Sequence, residues 1–79
     1  MSPSIQERRS YDRTWEEIET MLERAIERQE GWIQFYHDSK KHRDVESMKE
    51  AARNKKALEG VVKTLQWVLG EKGIEHPLN

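Results

Sequence analysis

Apolar residues in the first half of the chain recur every three or four positions, which is the spacing of an amphipathic helix. At about 100° per residue, these positions form a single face about 140° wide. The pattern therefore predicts one long first helix. Its apolar positions are Tyr11, Trp15, Ile18, Leu22, Ala25 or Ile26, Gln29, Ile33 and Tyr36.

This helix is predicted to begin near Asp12 or Thr14. Thr14 is followed three residues later by Glu17, which is the pattern of a capping box. In that motif the hydroxyl accepts a hydrogen bond from a free backbone N–H, and the carboxylate reaches back to the cap. The fully polar segment 37–44 contains aspartate and serine and predicts the turn that follows.

A second apolar pattern of helical spacing fills the other half of the chain. Asp44 and Ser47 are the alternative cap residues at its start. At its end, Gly73 is the predicted left-handed residue of a Schellman motif, in which Leu69 and Ile74 make the hydrophobic contact. The apolar positions are Val45, Met48, Ala51 and Ala52, Leu58, Val61 and Val62, Leu65, and Val68 and Leu69.

Together these patterns predict an all-α fold of two long antiparallel helices, a helical hairpin. The second apolar arc is about 180° wide, which is more than one partner helix can cover. Self-association into a four-helix bundle, or docking on another protein, would cover the remainder. We expect assembly into a homo-oligomeric helical bundle, such as one formed by a homodimer. The predicted organisation is a mobile N-terminal arm over 1–10, the hairpin domain over 11–74 and a C-terminal tail over 75–79.

Composition limits the function classes. The formal net charge is −1, so the whole molecule offers no strong field for nucleic acid or anionic lipid. The chain has no cysteine, which rules out disulfides and thiol catalysis. The sequence shows no long apolar run and no signal peptide. We therefore expect a cytoplasmic protein that neither crosses nor binds a membrane. Two histidines and two aspartates in the turn match no standard zinc site and are interpreted as surface residues.

Five glutamates form a stripe beside the apolar face of the first helix, namely Glu16, Glu19, Glu23, Glu27 and Glu30. Like charges four residues apart repel, so a basic surface or a metal would relieve them. The pairs Glu16–Glu19 and Glu27–Glu30 resemble part of the magnesium site of all-α nucleotide pyrophosphohydrolases, the MazG-like enzymes. The second helix lacks the Glu-x-x-Asp motif which that family needs. We therefore interpret the stripe as solvated or partner-facing, and expect no metal and no cofactor.

Trp67 faces away from the predicted core, about 160° from Leu65. It continues a basic ridge, and Lys63 lies four residues before it, within cation–π reach. The ridge consists of Lys49, Arg53, Lys56 and Lys63. An exposed tryptophan among basic residues is typical of interaction hot spots. The alternatives are local packing, against its own lysine stems or the N-terminal arm, and stacking on a nucleobase.

Charge is segregated between the helices. Residues 14–30 carry six acids and two bases, net −4, while residues 38–56 carry seven bases and four acids, net +3. In a dimer, the acidic stripe of one subunit is therefore expected to meet the basic ridge of the other.

Residues 44–72, with Ala57-Leu58-Glu59 and the closing stretch 65–71, resemble small phage-encoded helical-hairpin proteins. Such proteins often bind and block a host protein, or act as small regulators. The resemblance implies a role of that kind.

The sequence thus predicts a non-catalytic protein-interaction module, with an inhibitor or regulator of a host protein as the expected role. The alternatives are a small metal-dependent nucleotide-binding or pyrophosphohydrolase-like protein and a weak nucleic-acid binder. The predicted partner-binding residues are Trp67, Lys63, Lys56, Arg53, Lys49, Glu19, Glu23 and Glu27.

Overall fold

The computed structural model describes residues 9–79, so most of the predicted arm 1–10 lies outside the described residues. Two helices, α1 (Trp15–Lys41) and α2 (Val45–Val68), pack against each other, and the described residues contain no strand. A three-residue connection joins them and makes them antiparallel. The predicted all-α hairpin is therefore confirmed.

The predicted start of α1 is also confirmed. Thr14 is the N-cap residue, and its Oγ1 accepts a hydrogen bond of 3.1 Å from the backbone N–H of Glu17. The Glu17 carboxylate forms an ion pair of 3.2 Å with Arg13. The bond from the Glu17 N–H to the Thr14 hydroxyl, which a capping box requires, is thus present. The Glu17 carboxylate pairs with Arg13 instead of reaching back to the cap.

The predicted turn over 37–44 is wrong, because α1 continues through His37–Lys41 and only residues 42–44 connect the helices. Polar residues are accommodated within the last helical turns. The Ser39 hydroxyl donates a 2.8 Å hydrogen bond to the Phe35 carbonyl, and Gln34 donates one of 3.2 Å to the Asp38 carboxylate. Composition alone therefore places the end of this helix too early.

A Schellman motif ends α1. Arg43 has a left-handed φ of 57°. Its N–H bonds to the Lys40 carbonyl at 3.1 Å, and the N–H of Asp44 bonds to the Ser39 carbonyl at 2.9 Å. These two bonds satisfy carbonyls that the helix end would otherwise leave free. The motif reverses the chain within three residues, although its left-handed position is not a glycine.

Of the two alternative caps for α2, the structure has Asp44. Its carboxylate accepts a 3.1 Å bond from the Ser47 N–H and a 2.7 Å bond from the Ser47 hydroxyl. Both bonds favour the ionised form and lower the pKa of Asp44 below its ordinary value of 3.8.

The predicted end of α2 is wrong by three residues. Leu69 is the C-cap, and Gly70 is the left-handed residue, with a φ of 71°. The N–H of Gly70 bonds to the Trp67 carbonyl, and that of Glu71 to the Gln66 carbonyl, both at 3.0 Å. The predicted Gly73 also has a positive φ, 82°, but it lies in a turn of the C-terminal tail.

The helices meet through small side chains. Among residues 9–79 only Ala25, Ser39 and Ala51 are buried, and Ala51 is completely inaccessible. Larger apolar residues in the seam, such as Leu22 and Leu58, are half-buried. Two helices alone thus form a thin core, and much apolar surface stays in contact with water.

Candidate protein-interaction surfaces

One edge of the helix seam carries large, accessible apolar side chains, which we call the open apolar face. Met21, Phe35, Val61 and Val68 are 56%, 40%, 36% and 38% exposed. Met21 and Phe35 are two heptads apart on α1, and the two valines are one heptad apart on α2, so each pair lies on one stripe. The face consists of Met21, Trp32 and Phe35 from α1 and of Val61, Leu65 and Val68 from α2.

Shallow grooves show that the two helices contribute to the same face. Met21 lines one groove with Leu65, and Leu65 lines the next with Val61. A third groove, nearer the turn, is lined by Trp32, Phe35 and a residue of α2. The open apolar face therefore extends along the hairpin instead of forming an isolated spot.

An aromatic pair gives this face a defined shape near the turn. The rings of Trp32 and Phe35 are 5.5 Å apart at an interplanar angle of 86°, which is an edge-to-face contact. Tryptophan and other large aromatics concentrate binding energy at protein interfaces because they bury much area with few rotatable bonds. This pair therefore has the composition of an interface anchor.

Arginines border the α1 side of the same face. Arg28 lies between Met21 and Phe35 on their stripe and lines the aromatic groove together with Glu50. Within residues 9–79 neither Arg24 nor Arg28 forms an ion pair. Their guanidinium groups are available to acidic groups of another molecule.

The opposite edge of the seam is the polar face. Its groove is lined by Ile33, Tyr36, His37, Ala52, Lys55, Lys56 and Glu59. Apolar groups from both helices form its floor, and most of the groups around it are basic. Of the predicted residues, Lys56 lines the groove of this face.

Trp67 is 48% exposed, as its position on the helix predicts, and it also has a local contact. The C-terminal tail turns back so that the ring of His76 lies 5.3 Å from the indole at 66°. Nearby, the Lys63 ammonium is 3.7 Å from the Glu75 carboxylate. The tail therefore covers part of Trp67, a local packing that differs from both forms considered from the sequence. Binding of a partner at Trp67 stays a prediction.

The other predicted residues are accessible and lie on both helices. Lys49 is 3.9 Å from Glu46, and Arg53 is exposed. Glu19, Glu23 and Glu27 are exposed on α1. No ion pair within residues 9–79 joins the glutamate stripe to the basic ridge.

Hydrophobic spacing predicts the α2 half of the open apolar face, through the wide arc that includes Val61, Leu65 and Val68. It does not predict the α1 half, because Met21 and Phe35 lie outside the main apolar stripe of α1. A signal was present in the heptad Met21, Arg28, Phe35 and in the aromatic Trp32 beside it. It indicates a second, narrower apolar stripe on the same helix.

Comparisons with known proteins found no matching family model, no matching curated protein and no matching solved structure. In the part of the chain that the structure describes, no group of three or more histidine, aspartate or glutamate side chains is arranged to hold a metal ion. Neither described helix is long and apolar enough to cross a membrane.

Proposed function

We propose that this chain is a non-catalytic protein-interaction module that binds another protein through the open apolar face. The observation that carries the proposal is the contrast between a core of alanines and a face of exposed Met21, Phe35, Val61 and Val68. Large apolar side chains grouped on one exposed side of a protein are typical of interaction sites.

The magnitude supports a contact of moderate strength. Fully burying a side chain such as methionine, valine or phenylalanine is worth about 1.5–3 kcal/mol. The four residues retain roughly two fifths of their surface, so covering them gains about 2–5 kcal/mol. Association itself costs several kcal/mol, so the partner must also engage the aromatic pair and the arginines.

The charges favour a different protein as the occupant of this face. Arg24 and Arg28 form no ion pair within residues 9–79 and can bind carboxylates of another molecule. On this face, Glu50 is the acid of α2 that lines a groove, and it already lies beside Arg28. Docking two copies with α1 on α1 would set arginine against arginine. The fitting partner therefore offers an apolar ridge or helix bordered by aspartate or glutamate.

The resemblance to phage-encoded hairpin proteins adds the finer proposal, that the partner is a host protein which this chain inhibits or regulates in the cytoplasm. A small hairpin with an accessible apolar face suits that role, because it can cover a functional surface of its partner without catalysing a reaction. This proposed role requires no catalytic site among residues 9–79.

The test begins with capture of the partner from cell extract, followed by calorimetry with the purified partner. Met21→Ser and Phe35→Ser should each weaken binding by about tenfold or more, which corresponds to the loss of one well-packed apolar contact. Gln34→Ser is the matched control, because Gln34 is exposed next to Phe35 and its side chain bonds only to Asp38.

Circular dichroism must show that each variant is still helical. Equal affinities of all three variants for the captured protein would contradict the proposal, as would binding that requires only the basic ridge.

A further inference from the structure

We propose that a second copy of this chain docks on the polar face, with a two-fold axis parallel to the helices, so that both interhelical turns lie at the same end of the dimer. This inference goes beyond the proposed function, because it concerns the other edge of the seam and a different occupant.

Two heptad series of opposite charge flank the polar face. Glu16, Glu23 and Glu30 are seven residues apart on α1, so they follow one side of that helix. The basic series on α2 has the same spacing. It consists of Lys49, Lys56 and Lys63.

Both series belong to the same edge of the hairpin. Lys56 lines the groove of the polar face together with Ile33. Glu30 precedes Ile33 by three residues, one helical turn, and so lies beside it at the border of the groove. The glutamates therefore follow the α1 border of the polar face, beyond His37, and the lysines follow its α2 border, where Glu59 also lines the groove.

The turn sets the relative height of these charges. Arg43 is the left-handed residue at the centre of the reversal. Residues at equal separation from it in the chain lie at about the same level along an antiparallel hairpin. Glu30 and Lys56 are each 13 residues from Arg43, and Glu23 and Lys63 are each 20 residues from it.

Within one chain, Glu30 does not pair with Lys56, and Glu23 does not pair with Lys63. The ion pairs of residues 9–79 join Arg13 to Glu17, Lys49 to Glu46 and Lys63 to Glu75. Each acidic residue of the series is exposed. Within residues 9–79, Glu23, Glu30 and Lys56 thus form no ion pair, whereas Lys63 would exchange the exposed Glu75 for Glu23 of the second copy. A second copy can pair these charges if its own charges have the reversed order across the groove.

A second copy has that reversed order when the two-fold axis runs along the helices. Such an axis places α1 of one subunit beside α2 of its partner at equal height. Glu30 of each subunit then meets Lys56 of the other, and Glu23 of each meets Lys63 of the other. An axis across the helices would instead stack α1 on α1, with glutamate against glutamate, which complementarity disfavours.

Apolar groups fill the middle of this interface. Ile26 and Ile33 are one heptad apart on α1, and Ile26 is 36% exposed. Ala52, also exposed, faces the groove from α2. The result is a four-helix arrangement with a narrow apolar centre between charged borders, and the charges fix its orientation.

The chain has no cysteine, so a single substitution provides a specific labelling site. We would attach a nitroxide to Lys41→Cys, in the last turn of α1, and measure the distance between subunits by double electron–electron resonance. If both turns lie at the same end of the dimer, the two labels should be about 20–30 Å apart, given helix axes about 8–10 Å apart. Turns at opposite ends predict more than about 40 Å, the length of α1.

Charge exchange tests the pairing itself, with dimer affinity measured by sedimentation. Glu30→Lys and Lys56→Glu should each weaken the dimer by about tenfold, and the double variant should recover to within about threefold of wild type. Glu71→Lys, outside both helices, is the matched control and should leave the affinity unchanged.

A long label distance, a wild-type monomer at 100 μM, or a double variant no better than the single ones would each overturn the proposal. The open apolar face is tested separately. Met21→Ser and Phe35→Ser should leave the label distance unchanged whether or not they affect partner binding.

Discussion

Ala51 is completely buried between the helices, and enlarging it should be costly. Its side chain is completely inaccessible, so a leucine there must push the helices apart or adopt a strained rotamer. Overpacking of this kind costs about 1–3 kcal/mol. A domain of this size has a stability of only about 4–12 kcal/mol, so the effect is a substantial fraction of the total.

Urea and thermal unfolding followed by circular dichroism would measure the effect of Ala51→Leu. At roughly 4–8 °C per kcal/mol for a domain of this size, the midpoint should fall by about 5–20 °C. Ala57→Leu is the control, because Ala57 is exposed on the same helix and helix propensity barely changes. If Ala51→Leu is as stable as the control, the seam is not closely packed at Ala51.

The chain reversals give two further predictions. Both positions have left-handed φ values, 71° at Gly70 and 57° at Arg43, which glycine adopts without strain. Gly70→Ala should therefore lower the free energy of unfolding by about 1 kcal/mol, and Arg43→Gly should raise it by a smaller amount. Urea titration measures both changes, and two changes of the same sign would refute the reasoning. Asp44 has a lowered pKa in the folded chain, so its carboxylate stabilises the fold above about pH 4 and this contribution is lost as pH falls through that lowered pKa. Asp44→Asn keeps a capping acceptor without titrating, and should therefore lose less stability than wild type between about pH 5 and pH 2; parallel pH profiles would contradict this.

The hairpin could be predicted because its main signals are local. Spacings of three and four residues place Ile18, Leu22, Leu58 and Leu65 on the facing sides of two helices, and the hydroxyl of Thr14 provides a cap within one turn. These features depend on residues that are close in sequence. They do not require knowledge of what packs against what.

The helix ends were harder to predict, because composition does not determine which carbonyls a turn will satisfy. Gly70 and Gly73 both have a positive φ, so the preference for glycine alone cannot choose between them. Ser39 belongs to a polar segment, yet its hydroxyl bonds to a helical carbonyl and the residue is buried. In both places a specific hydrogen bond decides the outcome.

The candidate surfaces were predicted only in part. The exposure of Trp67 follows from its angle on the helix, but its contact with His76 depends on the tail reversing after α2. The exposure of Met21 and Phe35 depends on how many helices surround the seam. Periodicity describes which side of a helix is apolar, whereas the number of neighbours decides how much of that side is covered.

The two proposed contacts are compatible because they use opposite edges of the same seam. Lys56 and Ile33 line a groove on one edge, and Met21 and Leu65 line a groove on the other. A dimer formed through the polar face therefore leaves both open apolar faces accessible and directed away from each other. Such a dimer would bind two partner molecules, and a partner with repeated sites would be held at a high effective concentration. Dimer formation would stabilise a chain whose own core is small. The two open apolar faces of the dimer would also raise its affinity for a partner with repeated sites. This arrangement also accounts for the separation of its charges between the helices.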